Sequence, residues 1–173
     1  MNRDLIGCLL DAMDQYSQSY DEVFIEVGER LREHGEAGKL DLAALICWKR
    51  SGQGKWVSEL MELPDAEVQA ATRKALAAST DQDRLDALAV LPGFRQKYAI
   101  ATAVLAAHDP ENFAVLDRRA LKALERLGCP VIRGRGETLR YLDRIRDLRD
   151  QVRDGGPSVT ARNVDQALWI IGG

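Results

Sequence analysis

Apolar residues recur at spacings of three and four along almost the whole chain, the pattern of amphipathic helices. Leu5, Cys8, Leu9, Ala12 and Met13 share one face of a helix expected from about Arg3 to Ser17. Val23, Val27 and Leu31 line a second, from about Asp21 to His34, and Gly35 stops it. Leu42, Leu45, Ile46 and Trp48 mark a third around Asp41 to Arg50. A short helix follows from about Trp56 to Leu63. Pro64 then sits at a first-turn position, with Asp65 and Glu67 at the electropositive end of the next helix.

Thr80 or Asp81 caps a helix carrying Leu85, Leu88 and Ala89, which Pro92-Gly93 breaks. An alanine-rich helix is expected from about Arg95 to Ala107, then a loop over His108 to Asn112. Another helix runs from about Asp117 to Leu127 and ends at Gly128. A strongly charged helix spans about Glu137 to Arg153, and Thr160 caps the last one. No stretch alternates with the period of a strand. The expected fold class is all-α. A length of 173 residues suits a single domain, with Gly52 to Gly54 and Gly155-Gly156-Pro157 as linker candidates.

Composition narrows the function. The chain is 46% hydrophobic and 29% charged, enough for a packed core. Its net charge of −3 is not that of a generic nucleic-acid coat. Any contact with nucleic acid must come from a local basic patch, such as the arginine-dense stretch Arg133 to Arg153. Cys8, Cys47 and Cys129 are scattered and match no metal spacing. Neither a metal nor a cofactor is expected. The charged Met1-Asn2-Arg3-Asp4 start does not read as a signal peptide, and no apolar run approaches the ~18–20 residues of a membrane span. The expected location is the cytoplasm. His34 and His108 have no partner spacing for metal or triad chemistry and read as surface or loop residues. Gly134 and Gly136 follow no strand, so they are not a nucleotide loop.

The chemistry concentrates at Leu91-Pro92-Gly93-Phe94-Arg95-Gln96-Lys97. Two helices joined by Leu-Pro-Gly form a hairpin whose amides near the second helix offer an anion site. On DNA that anion is a phosphate; an ordinary tight turn between packed helices has the same sequence. The seven residues resemble the Leu-Pro-Gly-Val-Gly-x-Lys motif of the helix–hairpin–helix DNA glycosylase superfamily. In its bifunctional members the lysine at the seventh position is the nucleophile. The family also places an aspartate at the start of the next helix, and Phe113-Ala114-Val115-Leu116-Asp117 resembles that element, 20 positions after Lys97. The resemblance spans about Leu85 to Leu124. It is closest to the small all-helical 8-oxoguanine glycosylases, since the chain has no room for an added β domain. The iron–sulfur branch would need a cysteine quartet. Two positions depart from the family: Arg95 replaces the second hairpin glycine, and Val115-Leu116 replaces the proline before the aspartate.

The resemblance implies a glycosylase with abasic-site lyase activity on double-stranded DNA, working as a monomer. Lys97 would attack C1′ of the deoxyribose and form a Schiff base, and Asp117 would stabilise the cationic sugar and assist proton transfers. A solvated helix lysine and a plain N-cap aspartate are the bland alternatives. Gly93, Arg95, Gln96 and Arg118 are the candidate DNA contacts, with Arg119 beside them. The flipped base would need an aromatic surface and a hydrogen-bonding group. Trp48, Gln166 and Trp169 are the candidates; the family uses a C-terminal helix with a glutamine and an aromatic. Trp56 is the remaining tryptophan, and any of the three can equally be core. Three other readings stand: the same chemistry on a different modified base, a DNA-binding module of the same fold without catalysis, and a helical protein-interaction domain.

Overall fold

The computed structural model describes residues 3–49, 54–96, 98–154 and 156–173. The protein is all-helical, with no strand among the described residues. The helices are α1 (Arg3–Asp14), α2 (Glu22–His34), α3 (Lys39–Lys49), α4 (Gly54–Glu62), α5 (Asp65–Ala77), α6 (Asp81–Leu88), α7 (Ala99–His108), α8 (Arg118–Arg126), α9 (Glu137–Arg153) and α10 (Ala161–Ile171). They gather into two compact units. A central unit is Gln18–Asp109, and a terminal unit joins Met1–Ser17 to Pro110–Gly173.

The central unit is built around α7. Every residue from Ala99 to Ala107 is buried, so this helix is apolar all round. It packs against α2, α3 and α6. Five of its ten residues are alanines, and the small side chains allow helix backbones to approach closely. Gly28 of α2 lies so near that a Cβ there would stand 2.2 Å from the Ala107 carbonyl oxygen. One turn on, the Arg32 guanidinium donates to that same oxygen at 2.7 Å. Gly28→Ala is therefore expected to destabilise the protein by about 1–3 kcal/mol through forced separation of α2 and α7. That loss outweighs alanine's better helix propensity, worth ~1 kcal/mol. Urea unfolding checks it, and a variant as stable as the parent would show that the two backbones are not in contact.

The terminal unit is built around α10, which packs on α1, α8 and α9. Leu5, Leu9 and Ala12 of α1 are buried. In α9, Tyr141, Leu142, Ile145, Leu148 and Val152 make the inward stripe. In α8 it is Ala120, Leu121, Ala123 and Leu124. The end of α10 abuts the start of α8: a Cβ on Gly172 would come 2.0 Å from the Arg119 carbonyl oxygen.

Local rules account for most helix ends. The Thr80 side chain accepts from the Asp83 amide, the Asp117 side chain from the Arg119 amide, and Thr160 with Asn163 forms a capping box. Gly35 closes α2 in the left-handed region. Four readings are corrected. Helix α7 starts at Ala99 rather than near Arg95, because the chain around Leu91–Phe94 is held in a turn by bonds such as Phe94 N–H to Leu91 O. The inward stripe of α2 is Phe24, Val27, Gly28 and Leu31, leaving Val23 exposed. Cys8 also faces outward. His108, expected to open a loop, is the last residue of α7, whereas His34 lies on the surface as expected; partial burial lowers the His108 pKa below the ordinary histidine value.

Candidate functional site

In the central unit, α6 and α7 are the two helices of the hairpin, joined through residues 89–98. Leu91 and Phe94 are buried and pin the turn from within. Gly93 is required twice over. Its φ is +81°, a region that favours glycine, and a Cβ there would lie 2.4 Å from the Trp56 ring. Trp56 is thus part of the core beneath the hairpin, 8% exposed. Nothing in its sequence context signals that contact. Arg95 and Gln96 are exposed on the turn. The first turn of α7 is buried at Ala99, Ile100 and Ala101, so the accessible part of the hairpin is this turn rather than the helix start.

Lys97 lies outside the described residues. Its neighbour Tyr98 is informative. It has φ +52°, and among the described residues it is the one non-glycine residue with a positive φ. A bulky residue there stores strain. The Tyr98 hydroxyl donates to Asp86 Oδ1 on α6 at 2.8 Å. That bond, with burial and the Asp86 charge, raises the phenol pKa above its ordinary value. The bond ties the two helices of the hairpin together one residue after Lys97.

Trp48 also belongs to the central unit. Its indole N–H donates to the Tyr20 carbonyl at 2.7 Å, and its ring lies 4.9 Å from Phe24. It is partly exposed.

In the terminal unit, Phe113, Ala114, Val115 and Leu116 form a buried, non-helical approach to α8. Asp117 follows in extended conformation, partly exposed, and its Oδ1 accepts from the Arg119 amide at 2.8 Å. The positive end of α8 favours an ionised carboxylate there. Arg118 and Arg119 are both exposed. The Arg119 guanidinium sits 4.4 Å above the Trp169 ring, which also meets Tyr16 edge-on at 6.2 Å. Arg119, whose amide donates to Asp117, thereby holds the Trp169 ring of α10 against the first turn of α8. Gln166 is buried one turn before Trp169 on α10, and its Oε1 accepts from Asn163 Nδ2 at 3.2 Å.

Beneath Asp117 is a cluster that no local pattern announces. Asp165 of α10, 1% exposed, accepts from the Val115 amide at 3.1 Å and from the Tyr141 hydroxyl at 2.7 Å. It also pairs with Arg162, which is itself 8% exposed. The i, i+3 spacing of Arg162 and Asp165 is visible in the sequence, but their burial is not.

The arginines of the charged stretch largely brace the fold. Arg133 pairs with Glu125 at 2.7 Å. Arg140 donates to the Ile132 and Arg135 carbonyls. Arg146 bonds the Asn112 carbonyl and Arg149 that of Glu111. Arg153 bonds the Val159 carbonyl and pairs with Glu111. Five of the seven arginines expected as a basic patch thus have bonds within the protein. Among the described residues, no group of three or more His, Cys, Asp or Glu could hold a metal, and no helix is long and apolar enough to cross a membrane. Comparison of the chain with family models, curated proteins and solved structures finds no match.

Proposed function

We propose that the chain is a DNA glycosylase of the helix–hairpin–helix type with abasic-site lyase activity, excising a modified base such as 8-oxoguanine from duplex DNA. The carrying observation is the register of the motif: Leu91-Pro92-Gly93 with Lys97, followed by an aspartate that is the N-cap of the next helix. The exposed cations Arg95 and Arg118 suit phosphate contacts. Gln96 is exposed on the same turn as Arg95, while Gly93 shapes that turn. Trp48, Gln166 and Trp169 remain the candidates for receiving the base, and the enzyme would act as a monomer.

In this reading the neutral amine of Lys97 attacks C1′ with its lone pair while the glycosidic C1′–N bond breaks and the base leaves with that bond's electrons. The adduct opens to a protonated Schiff base. Loss of a C2′ proton then expels the 3′ phosphate with the C3′–O electrons. Asp117 stabilises positive charge at the sugar and moves protons. Incubation with duplex containing 8-oxoguanine or an abasic site, followed by borohydride reduction, should leave a covalent protein–DNA adduct. Absence of an adduct on both duplexes would reject the lyase. Asp117→Asn keeps a capping side chain and should lower single-turnover excision about a hundred-fold or more, with duplex affinity nearly unchanged. Unchanged turnover would remove Asp117 from the mechanism.

A second reading is a DNA-binding module of the same fold without catalysis. Arg95 at the hairpin glycine position and the net charge of −3 favour it. Tight binding to both duplexes with no adduct would support it.

A further inference from the structure

Residues 113–116 run through the core of the terminal unit with no neighbouring strand to bond their backbone. Buried amides and carbonyls need partners, and here side chains supply them at Val115. Its N–H donates to Asp165 Oδ2. Its carbonyl lies 3.2 Å from the Tyr141 hydroxyl, whose single proton also faces Asp165 Oδ1 at 2.7 Å. The backbone on both sides of the Val115 side chain is thus held by one phenol–carboxylate pair. Two further bonds hold the stretch upstream: Ala161 N–H to Glu111 O at 3.2 Å, and Arg162 N–H to Pro110 O at 3.0 Å. Asp117 stands two residues after Val115, with its own carboxylate committed to the first turn of α8.

We infer that Tyr141 and Asp165 are positioning residues for Asp117, fixing the backbone at Val115 so that the Asp117 carboxylate is presented from a rigid mount at the start of α8. The inference deepens the glycosylase/lyase reading and rests on it for its catalytic meaning. Several observations fit. The pair is fully buried, and Arg162 neutralises Asp165, so the mount is electrically balanced. The Tyr141 phenol is raised well above its ordinary pKa, first by burial and then by Asp165, with Asp117 acting in the same sense and Arg162 against it. It therefore stays a neutral donor, and its hydroxyl lies against the carbonyl two residues before Asp117.

Tyr141→Phe is the decisive variant, because it keeps the buried ring and removes only the hydroxyl. Amide hydrogen exchange reads the mount without reference to chemistry. The Val115 and Arg119 amides should exchange about ten-fold faster, the local cost of one hydrogen bond, while amides in the middle of α9 and α10 keep their protection. Single-turnover excision should fall about ten-fold with duplex affinity unchanged. In an Asp117→Asn background the same change should lower turnover no further, since the two act through one group. A purely structural tyrosine would lower stability and act additively with Asp117→Asn. Unchanged exchange at Val115 and Arg119 would overturn the inference whatever the enzyme does. If the unmutated protein excises nothing and forms no adduct, the glycosylase reading fails. Faster exchange at both amides would then still support the mount.

Discussion

Lys97→Gln is expected to abolish the borohydride-trapped adduct while leaving duplex binding within a few-fold of the parent. The trap records one bond, that between a protein amine and C1′, so removal of the attacking amine removes the signal rather than reducing it. Glutamine keeps much of the length and polarity of lysine but has no nucleophilic lone pair on nitrogen. A lysine of ordinary pKa near ~10.4 is neutral in only about one molecule in a few thousand at pH 7. An active nucleophile therefore needs a depressed pKa or a base to take its proton. Adduct yield in the parent should rise with pH for that reason. The residue that follows, Tyr98, is held at positive φ and is tied to Asp86. Backbone strain of this kind clusters where geometry matters for function. An adduct of parental yield in Lys97→Gln would identify a different amine as the nucleophile.

The second large effect concerns stability. Asp165→Asn should cost about 3–5 kcal/mol, because it leaves the buried Arg162 guanidinium without its counter-charge. The amide can still accept from Val115 N–H or from Tyr141, so the loss is mainly electrostatic. For a protein of this size the melting temperature should fall on the order of 10 °C. Exposed pairs such as Lys55–Glu59 contribute at most about 1 kcal/mol. Denaturant unfolding measures the difference. A loss below ~1 kcal/mol would show that the Arg162–Asp165 pair is solvated and that Val115 has another anchor. Adding Arg162→Met to Asp165→Asn should recover part of the stability, since no unpaired charge remains and the asparagine oxygen can still accept a hydrogen bond.

The fold and the candidate site were legible to different depths. Helix α9 runs from Glu137 to Arg153 as its charge pattern indicates, and Thr80, Asp117 and Thr160 are N-caps as their spacing indicates. These depend on neighbours a few residues away. Misjudged positions depended on distant ones. Helix α7 begins late because buried Phe94 and the Tyr98–Asp86 bond hold the preceding turn. The face of α2 is rotated toward Phe24 and Gly28 because α7 is packed against its backbone. The arginines of α9 carry a second role that spacing does not show: most bond to carbonyls and carboxylates of their own unit.

The hairpin motif, Lys97 and Asp117 are a matter of residue type and register, which one-dimensional order carries in full. Hydrophobic period, capping side chains and helix breakers act within about one turn, so they too belong to the sequence alone. What surrounds Asp117 does not. Asp165 reaches Val115 across 50 residues and Tyr141 reaches it across 26. Likewise, Gly93 needs its missing Cβ partly because Trp56 lies against it. Burial of a polar group, and the partner that compensates it, exist only once distant helices pack together. Tertiary structure alone therefore turned Asp165, Tyr141 and Arg162 from three unremarked polar residues into the support beneath the proposed catalytic aspartate.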